Sequence, residues 1–496
     1  MNMARVRPVD NELITTVTRP RILASYWAII LLAVPLWWWA TSIERLSLPE
    51  DEIWDISEQK LRFPIHLALD PAASGIKAED QAVQRLRARL QQRQEPLELQ
   101  VDANALNSPN TYHISVDPHI PAPILQGRDV SLPDTTALER LSELFALYPE
   151  EVASHGHRVA QYAPRYRLAF SLLNEDAAEG KAALTWDVRT SITQHLEPIL
   201  ERLRPLHNFT IESQIRFHAP LAITPQPLVE GYGINPEDLA VFVNSAEWTL
   251  SSSVSNDPVL HFILFIPSAT RRPLHILDSN GSPSKSSAFI LPQWGGIVIF
   301  NPPTTEGHFD LPPPTLDAPF STFRYQLLSL LGVPPLPPWL ETTDAATTIT
   351  DWQLDTLLRR RALENVKNSE ETLQSIAKLV HQIDNMPIGP DVRGDVQGAL
   401  NALEKVYALR DSPSSALAHS AEALTLSSRA FFNPGMLALL YFPAEHKYAV
   451  YMPLFVPISV PLIAAAGREF RRWKKERRER RARQNVAEAP AEGTQL

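Results

Sequence analysis

The sequence of 496 residues carries 46 lysines and arginines against 56 aspartates and glutamates, a formal net charge of −10 at pH 7. This acidic balance argues against a protein that binds nucleic acid through a broad basic face. The sequence contains no cysteine. That absence excludes a thiolate nucleophile and a disulfide framework, so the fold must be held together by burial alone.

A first apolar run covers residues 22–43, after four arginines and before an acidic stretch. About 22 residues in a helix are enough to cross roughly 30 Å of hydrocarbon, so the run predicts a transmembrane helix. A cleaved signal peptide is the alternative because Ala40, Thr41 and Ser42 are small, but the run is longer than the apolar core of a usual signal peptide. The basic flank places residues 1–21 in the cytoplasm.

Residues 44–340 alternate short strand patterns with amphipathic helices, which predicts an α/β or α+β domain whose sheet is covered by helices. The runs at 259–266 and 295–300 are nearly all apolar, as strands buried on both faces are. Asn235, followed by Pro236, predicts the N-cap of a helix. The other predicted strands are 63–69, 97–101, 112–116, 165–173, 209–217 and 273–277, and the other predicted helices are 79–94, 135–147, 187–203 and 323–333.

A helical pattern begins near Asp351 and continues toward the second apolar run. Proline-containing breaks interrupt it at 385–390 and 410–415. Because such breaks separate neighbouring helices, the pattern predicts a helical region over residues 341–447.

The second apolar run covers residues 448–466 and leads into a basic tail, residues 467–496. Its length predicts a second transmembrane helix; a buried core helix is the alternative, although core helices seldom run so far without a charge. The positive-inside rule then places both termini in the cytoplasm and residues 44–447 in the lumen. The predicted fold class is a membrane-anchored α/β (or α+β) lumenal domain with a C-terminal helical region, flanked by one transmembrane helix at each end.

Three prolines inside the second run, Pro453, Pro457 and Pro461, recur every four residues and so lie close to one face of a helix. Each lacks an N–H and frees the carbonyl of the residue four positions earlier. Because an unpaired carbonyl that faces lipid is costly, we predict that this face packs against another subunit or the first run. The alternative is a locally bent helix whose carbonyls bond to water or form 3-10 turns.

Two N-glycosylation sequons lie in the predicted lumenal part, one beginning at Asn208 and one at Asn280. We predict both asparagines as glycosylation sites, the second weakened by Pro283 directly after its sequon. Such triplets also arise by chance, so they give only mild support for a lumenal location.

The sequence lacks the motifs of an enzyme site: a nucleophile elbow, a zinc-protease helix, a phosphate loop and a dinucleotide loop. We therefore predict no catalytic residue, no cofactor and no metal ligand. His155 and His157 are spaced as the start of a metal site would be, but an exposed polar loop is favoured because no partner ligands follow at recognisable spacing. His261 and His275 lie in apolar strands, which favours hydrogen-bonded core histidines.

Four blocks in the middle of the chain are specific in combination: FVNSAEWTLSSS (242–253), PVLHFILFIPSATRRPLHILDSNG (258–281), FILPQWGGIVIFNP (289–302) and FRYQLLSLLGV (323–333). In this order, with an apolar run at each end, they resemble the PIG-S family, a subunit of the GPI transamidase of the endoplasmic reticulum. The rest of the chain resembles that family only in its architecture.

The resemblance implies a non-catalytic subunit of the endoplasmic reticulum membrane that supports the attachment of GPI anchors to proprotein C-termini. Its implied partners are the caspase-like PIG-K, which cleaves the C-terminal signal, together with PIG-T, PIG-U and the GPI-anchor attachment subunit, and not nucleic acid. The resemblance also implies motif residues that serve the fold and the assembly. These are Asn244, Trp248, Trp294, Gly295, Gly296 and Asn301.

Two other classes of protein fit parts of the pattern. A membrane-anchored lumenal hydrolase could assemble Ser, His and Asp from separate segments, since such residues need not be neighbours in sequence. A two-span receptor shares the predicted topology. Its cytoplasmic tail of about 30 residues would be too short for a signalling domain.

Overall fold

The computed structural model places the described residues in two compact units. The first, called the α/β unit, comprises Glu50–Gln374 and Val396–Ser428; the second, called the terminal unit, comprises the chain up to Pro49, Ser375–Asp395 and the chain from Arg429. The structure describes residues 18–41, 45–69, 80–93, 95–101, 110–147, 159–243, 248, 256–303, 307–343, 349–383, 386–437 and 444–487.

The strands of the α/β unit form two larger sheets. In chain order the strands are β1 (Phe63–Leu69), β2 (Leu97–Val101), β3 (Thr111–Val116), β4 (Ile124–Gln126), β5 (Asp129–Leu132), β6 (Arg165–Asn174), β7 (Ala183–Trp186), β8 (Asn208–Arg216), β9 (Gln226–Pro227), β10 (Tyr232–Ile234), β11 (Val259–Ile266), β12 (Leu274–Ile276), β13 (Ala288–Leu291), β14 (Gly295–Ile299), β15 (Phe309–Leu311) and β16 (Glu341–Thr342). One sheet has the order β16-β4-β5-β3-β1-β2 and the other the order β13-β14-β11-β6-β8. Smaller sheets pair β9, β10 and β12, and β7 with β15.

The helices, taken over the whole described chain, begin and end at the following residues. They are α1 (Thr18–Thr41), α2 (Glu50–Glu58), α3 (Gln81–Gln92), α4 (Leu141–Leu144), α5 (Val188–His195), α6 (Glu197–Arg202), α7 (Pro313–Leu331), α8 (Asp351–Gln382), α9 (Pro390–Ala408), α10 (Pro413–Phe431), α11 (Pro434–Leu437) and α12 (Ala444–Ala487).

The two strands that were predicted to be buried on both faces are neighbours within the second sheet, away from its edges. β11 and β14 are neighbours and run parallel, and all of their residues except Val259 are buried. On one face the rings of Phe170 and Phe262 stack 5.2 Å apart, and Phe320 and Phe323 of α7 pack on them. Burying such a ring contributes about 1.5–3 kcal/mol. The helix therefore holds this face of the sheet by apolar contact.

The predicted strands are confirmed to within one residue at either end, whereas several predicted helices differ. The helix predicted at 323–333 is α7 (Pro313–Leu331), which begins ten residues earlier. The helix predicted at 187–203 is divided into α5 and α6, because Pro198 has no N–H to continue the helical hydrogen bonds. The helix predicted at 135–147 is a 3-10 turn followed by α4. The Asp134 carboxylate starts that turn by accepting hydrogen bonds from two backbone N–H groups, at 2.7 and 2.9 Å.

The helix predicted to start at Asn235 is also a 3-10 turn, Pro236–Val241. Asn235 makes no side-chain cap hydrogen bond, and its Nδ2 instead donates to Oδ2 of Asp238 at 3.3 Å. Asn235 therefore occupies the predicted N-cap position, with Pro236 in the first turn, but it caps a 3-10 turn and makes no capping hydrogen bond. Of the rest of the predicted helix, residues 244–247 and 249–250 lie outside the described residues.

The helical pattern after Asp351 is confirmed as α8, α9, α10 and α11, and the helices end at the two predicted breaks. The predicted domain boundaries, with an α/β domain at 44–340 and a helical region at 341–447, stay predictions.

The start of α8 carries a buried carboxylate, Asp355, whose exposed fraction is 2%. Both of its oxygens accept hydrogen bonds from Arg128, at 2.9 and 3.0 Å, and one also accepts from the hydroxyl of Tyr112 at 3.0 Å. Burial raises the pKa of Tyr112, and the nearby Asp355 charge raises it further. A carboxylate paired in this way links α8 to β3 and to the turn between β4 and β5.

Arg361, also on α8, is 3% exposed. Its Nη2 donates to the carbonyls of Ala160 and Leu331, at 2.9 and 3.0 Å, and the neighbouring Arg360 donates to the carbonyl of Gly332. The last carbonyls of a helix have no partner within the helix and attract positive charge. The two guanidinium groups therefore satisfy the C-terminal end of α7.

The terminal unit contains α1 and α12, which contact each other. Within the part of the chain that the structure describes, no helix combines the length and the apolar character needed to cross a bilayer. The prediction of transmembrane helices at 22–43 and 448–466 is therefore wrong, and the described fold is mixed α/β.

The prediction failed because it counted residues without charge rather than apolar residues. Ser25 and Tyr26 in the first run and Ser459 in the second are uncharged but carry polar groups, which favour water over hydrocarbon. Prolines also remove backbone hydrogen bonds from both runs. An absence of charge therefore overstated the apolar length.

Candidate functional site

The carboxyl edge of the five-stranded sheet is the place to look for a ligand site, because parallel α/β sheets bind ligands outside the carboxyl ends of their strands. β6 and β11 are parallel neighbours and end here, at Asn174 and Ile266. Glu175, directly after β6, is buried with an exposed side-chain fraction of 5%. A buried carboxylate at this edge would be the natural start of an active site.

Glu175 is held by neighbouring protein groups. One of its oxygens accepts from the guanidinium of Arg271, and the other accepts from the backbone N–H of Ser268 at 2.9 Å. The side chain of Asn174 donates to the carbonyl of Ala183 at 2.9 Å and accepts from the N–H of the same residue at 2.8 Å. These bonds tie the strand end to β7.

A second set of bonds extends the same network. Glu179 accepts from the N–H and the hydroxyl of Thr270, both at 3.1 Å. Arg272 donates to the carbonyls of Pro267 and Lys181, at 2.8 and 2.7 Å. Catalysis needs polar groups that are free to meet a substrate, whereas these groups bind one another. These hydrogen bonds therefore stabilise the loops at the carboxyl edge of the sheet.

Among the family-motif residues, Trp248 and Asn301 make specific hydrogen bonds. Trp248 is 3% exposed, and its Nε1 donates to the carbonyl of Pro220 at 3.1 Å. Asn301 accepts from the N–H of Leu274 and donates to its carbonyl, both at 2.9 Å. Asn301 thus fastens β12 beside the end of β14. Asn244 lies outside the described residues.

Trp294 and His261 form a stacked pair with ring centroids 4.6 Å apart. His261 is 7% exposed, and burial, with help from the charge of Arg167, lowers its pKa to about 4. Its Nδ1 finds no hydrogen-bond partner among the described residues, so this nitrogen lacks the predicted hydrogen bond. The neutral ring is stabilised by stacking. His275, on β12, is half-buried.

Gly295 and Gly296 bring β14 close to its neighbours. A Cβ added at Gly295 would lie 2.0 Å from the carbonyl oxygen of His261, and one added at Gly296 would lie 2.0 Å from Oε1 of Gln326. Gln326 reaches from α7 and donates to the carbonyls of Phe289 and Ile297, at 3.0 and 3.2 Å. Only hydrogen fits at these positions without movement.

We predict that Gly295→Ala lowers the free energy of unfolding by about 2 kcal/mol, because the methyl group would push β14 away from the backbone of β11. Thermal unfolding of the purified chain measures the change. Gly394→Ala is the matched control: nothing lies within 4 Å of that Cβ, and alanine in a helix should stabilise by up to about 1 kcal/mol. Equal effects of the two substitutions would contradict the packing argument.

The predicted glycosylation and proline sites have the following positions. Asn208 is the exposed first residue of β8, and Asn280 is exposed in a turn where its N–H donates to Asp278 at 2.9 Å. Their glycosylation stays a prediction. The proline interface also stays a prediction; α12 continues through all of the prolines, which are exposed in this chain: Pro453, Pro457 and Pro461.

No group of three or more metal-binding side chains occurs among the residues that the structure describes. His155 and His157 fall outside those residues.

An open groove of about 890 Å³ lies along β8, between that strand and the helices α5 and α6. Its apolar lining comes from Ile192, Leu200, Phe209 and Ile211. Positively and negatively charged side chains line the groove on the side of the helices, and Ser213 also lines it on the side of β8. The groove therefore follows an outer strand of the sheet and is distinct from the closed carboxyl edge.

Comparison with known proteins assigns the chain to a family. Residues 24–119 and 132–476 match the family described as phosphatidylinositol-glycan biosynthesis class S protein, PIG-S. The chain belongs to the PIG-S family. The resemblance that the sequence blocks carry is thereby confirmed.

Relatives of the PIG-S chain occur in mammals and yeasts. The Mus musculus protein named GPI-anchor transamidase component PIGS is 36% identical over 327 residues, covering 62% of this chain and 58% of the mouse protein. The Schizosaccharomyces pombe protein named GPI transamidase component PIG-S homolog is 28% identical over 481 residues, covering 92% and 84%. Saccharomyces cerevisiae GPI transamidase component GPI17 is 26% identical over 333 residues, covering 62% and 58%.

Sequence reasoning missed the polar network at the carboxyl edge of this PIG-S chain. Glu175 lies outside the four quoted blocks, and Arg271, although it lies within the second block, is 96 residues away from it in sequence. No spacing therefore signalled their contact. The groove had a weak signal: β8 mostly alternates polar and apolar residues, unlike β11, which is apolar except for His261. Such alternation indicates a strand with an exposed face.

Proposed function

We propose that the chain is a non-catalytic subunit of the GPI transamidase that supports the attachment of GPI anchors to proprotein C-termini. Membership of the PIG-S family over residues 24–119 and 132–476 is the observation that carries this proposal. Relatives named as components of that enzyme in mammals and two yeasts support it further.

The chemistry of the chain supports an accessory role. A caspase-like transamidase uses a cysteine nucleophile, and this sequence has no cysteine. The polar groups at the carboxyl edge of the sheet bind one another, as Glu175 binds Arg271 and Ser268. A lumenal hydrolase with a dispersed Ser, His and Asp site is the second class, and the two described glutamates of this edge, Glu175 and Glu179, are already bound by protein donors.

The proposed partners are the other transamidase subunits: the caspase-like PIG-K, PIG-T, PIG-U and the GPI-anchor attachment subunit. The proposed location is the endoplasmic reticulum, with the α/β unit on its lumenal side. The exposed sequon asparagines, Asn208 and Asn280, support that side because glycan transfer occurs in the lumen.

Deleting the gene for this chain tests the proposal. GPI-anchored proteins should disappear from the cell surface, and their proproteins should accumulate with uncleaved C-terminal signals. Expression of the chain should restore both. Normal surface levels of GPI-anchored proteins in the deleted cells would contradict the proposed function.

A further inference from the structure

We infer that the free edge of β8 binds an extended segment of a partner subunit, which adds to the five-stranded sheet as a further strand. The identity of the partner as a transamidase subunit rests on the proposed function. The strand pairing itself rests on the backbone of β8 and on the groove beside it.

Two hydrogen bonds show which way the backbone groups of β8 point. The N–H of Asn208 donates to the carbonyl of Pro164 at 2.9 Å, and the carbonyl of Arg216 accepts from Asn174 at 3.2 Å. Both bonds lie on the β6 side. Because the N–H and C=O of a strand residue point to the same side and the side alternates along the strand, the even-numbered residues face β6.

The odd-numbered residues of β8 therefore direct their N–H and C=O groups away from the sheet. These residues are Phe209, Ile211, Ser213 and Ile215. Within the described chain, β8 pairs with β6 alone, and no backbone hydrogen bond joins these outward groups to another segment. They form a row of donors and acceptors at two-residue spacing.

The two edges of the sheet differ in length and protection. β13, at one edge, has four residues, and such short edge strands offer little to pair with. β8, at the other edge, pairs with β6 in an unbroken register of nine residues and contains no proline or lysine. Ile211 is 42% exposed. A long, regular edge of this kind is a template for pairing with another chain.

The outward N–H and C=O groups of β8 favour a peptide as the ligand of this edge. Donors and acceptors alternating along a strand match the backbone of an extended peptide, as in strand addition to an exposed sheet edge. The apolar side chains of Ile192, Leu200, Phe209 and Ile211 in the groove favour a segment with apolar residues at alternate positions.

A second copy of this chain fits the edge less well than a different protein. An antiparallel pair of two β8 strands in full overlap would centre on Glu212 and set that residue opposite its own copy, with Arg167 of the same chain 3.3 Å from each carboxylate. Like charges directly opposite each other destabilise a strand pair. A partner of different sequence avoids this repulsion.

Replacing Ser213 by proline tests the pairing in the full chain. The Ser213→Pro change removes one outward N–H and places a proline ring at the edge of the sheet. Proline is tolerated in an edge strand at a position where the backbone N–H would face solvent. We expect the amount of co-purified transamidase subunits to fall about tenfold, which corresponds to about 1.4 kcal/mol. Ser213→Ala, which keeps the N–H, should co-purify them like the unaltered chain. Thermal unfolding of both variants checks that the fold is retained.

A photo-crosslinking residue in place of Ile211 gives a second readout that does not depend on the proline variant. We expect an adduct with an extended peptide of a co-purifying transamidase subunit. An adduct with a second copy of this chain would overturn the inference, as would equal co-purification by Ser213→Pro and Ser213→Ala. If gene deletion left GPI attachment intact while the Ser213 contrast persisted, the proposed function would fail and the strand pairing would stand.

Discussion

Replacing Asp355 by alanine is expected to lower the free energy of unfolding by about 3–5 kcal/mol. The change removes the only acceptor that the structure gives to both Arg128 and the Tyr112 hydroxyl within the described residues. Tyr112 is fully buried, so its hydroxyl cannot turn to water. Removing the buried carboxylate leaves the buried Tyr112 hydroxyl and the half-buried Arg128 without their shared acceptor, which is costly.

Thermal or denaturant unfolding of the purified chain measures this effect. Glu371→Ala is the matched control on the same helix, because its side chain is 65% exposed and its nearest ammonium is 4.0 Å away. An exposed pair of this kind contributes at most about 1 kcal/mol. Asp355→Asn keeps the volume and one acceptor and should fall between the two. A loss below about 1 kcal/mol in Asp355→Ala would contradict the buried network.

Lowering the pH from 6.5 toward 4 is expected to destabilise the α/β unit through two buried histidines. Burial, helped by the charge of the nearby Arg361 and opposed by a hydrogen bond to the carbonyl of Ala163, lowers the pKa of His207 to about 4. His261 also has a pKa of about 4 because it is buried. In the unfolded chain both would titrate near the ordinary value of about 6.5.

The sign of the effect follows from which state binds the proton first. The unfolded state is protonated as the pH falls below 6.5, while the folded state stays neutral until about pH 4. The contribution of each neutral histidine to the free energy of unfolding is therefore complete above pH 6.5. It is lost as the pH falls toward 4, by about 3 kcal/mol for each histidine. Carboxylates add their own acid sensitivity, so the wild type must be compared with a variant.

The unfolding temperature of the wild type and of a His207→Phe, His261→Phe double variant, measured from pH 7.5 to 4.5, isolates the histidine contribution. Phenylalanine keeps an aromatic ring against Trp294 and removes the titrating nitrogens. The variant starts less stable at pH 7.5 because the hydrogen bond to Ala163 is lost. Its stability should then fall less steeply with acid. Parallel curves for the two proteins would refute the assignment.

The strands could be predicted from short stretches of sequence, because the pattern of apolar residues in a stretch reflects which side chains are buried. The runs that form β11 and β14 are apolar at nearly every position, as strands buried on both faces are. The order of the strands and the position of β8 at an edge depend on contacts between distant residues. No spacing along the chain encodes those contacts.

The sequence did not allow us to predict which charged side chains are buried. Arg359, Arg360 and Arg361 are three consecutive charged residues of α8, yet each is at most 3% exposed. Arg360 and Arg361 are buried because the end of α7 presents carbonyls that need donors. The opposite error affected the terminal helices, where missing charge was taken for sufficient apolar length.

Purification of the tagged chain from a detergent extract, followed by a GPI-transfer assay on a proprotein substrate, tests the central claim most directly. The account predicts transfer activity in the native eluate, where other transamidase subunits co-purify, and no activity when the chain is expressed and purified by itself. Transfer or hydrolysis of the substrate by the isolated chain would contradict a non-catalytic role. A native eluate free of transamidase subunits and activity would contradict its place in the enzyme.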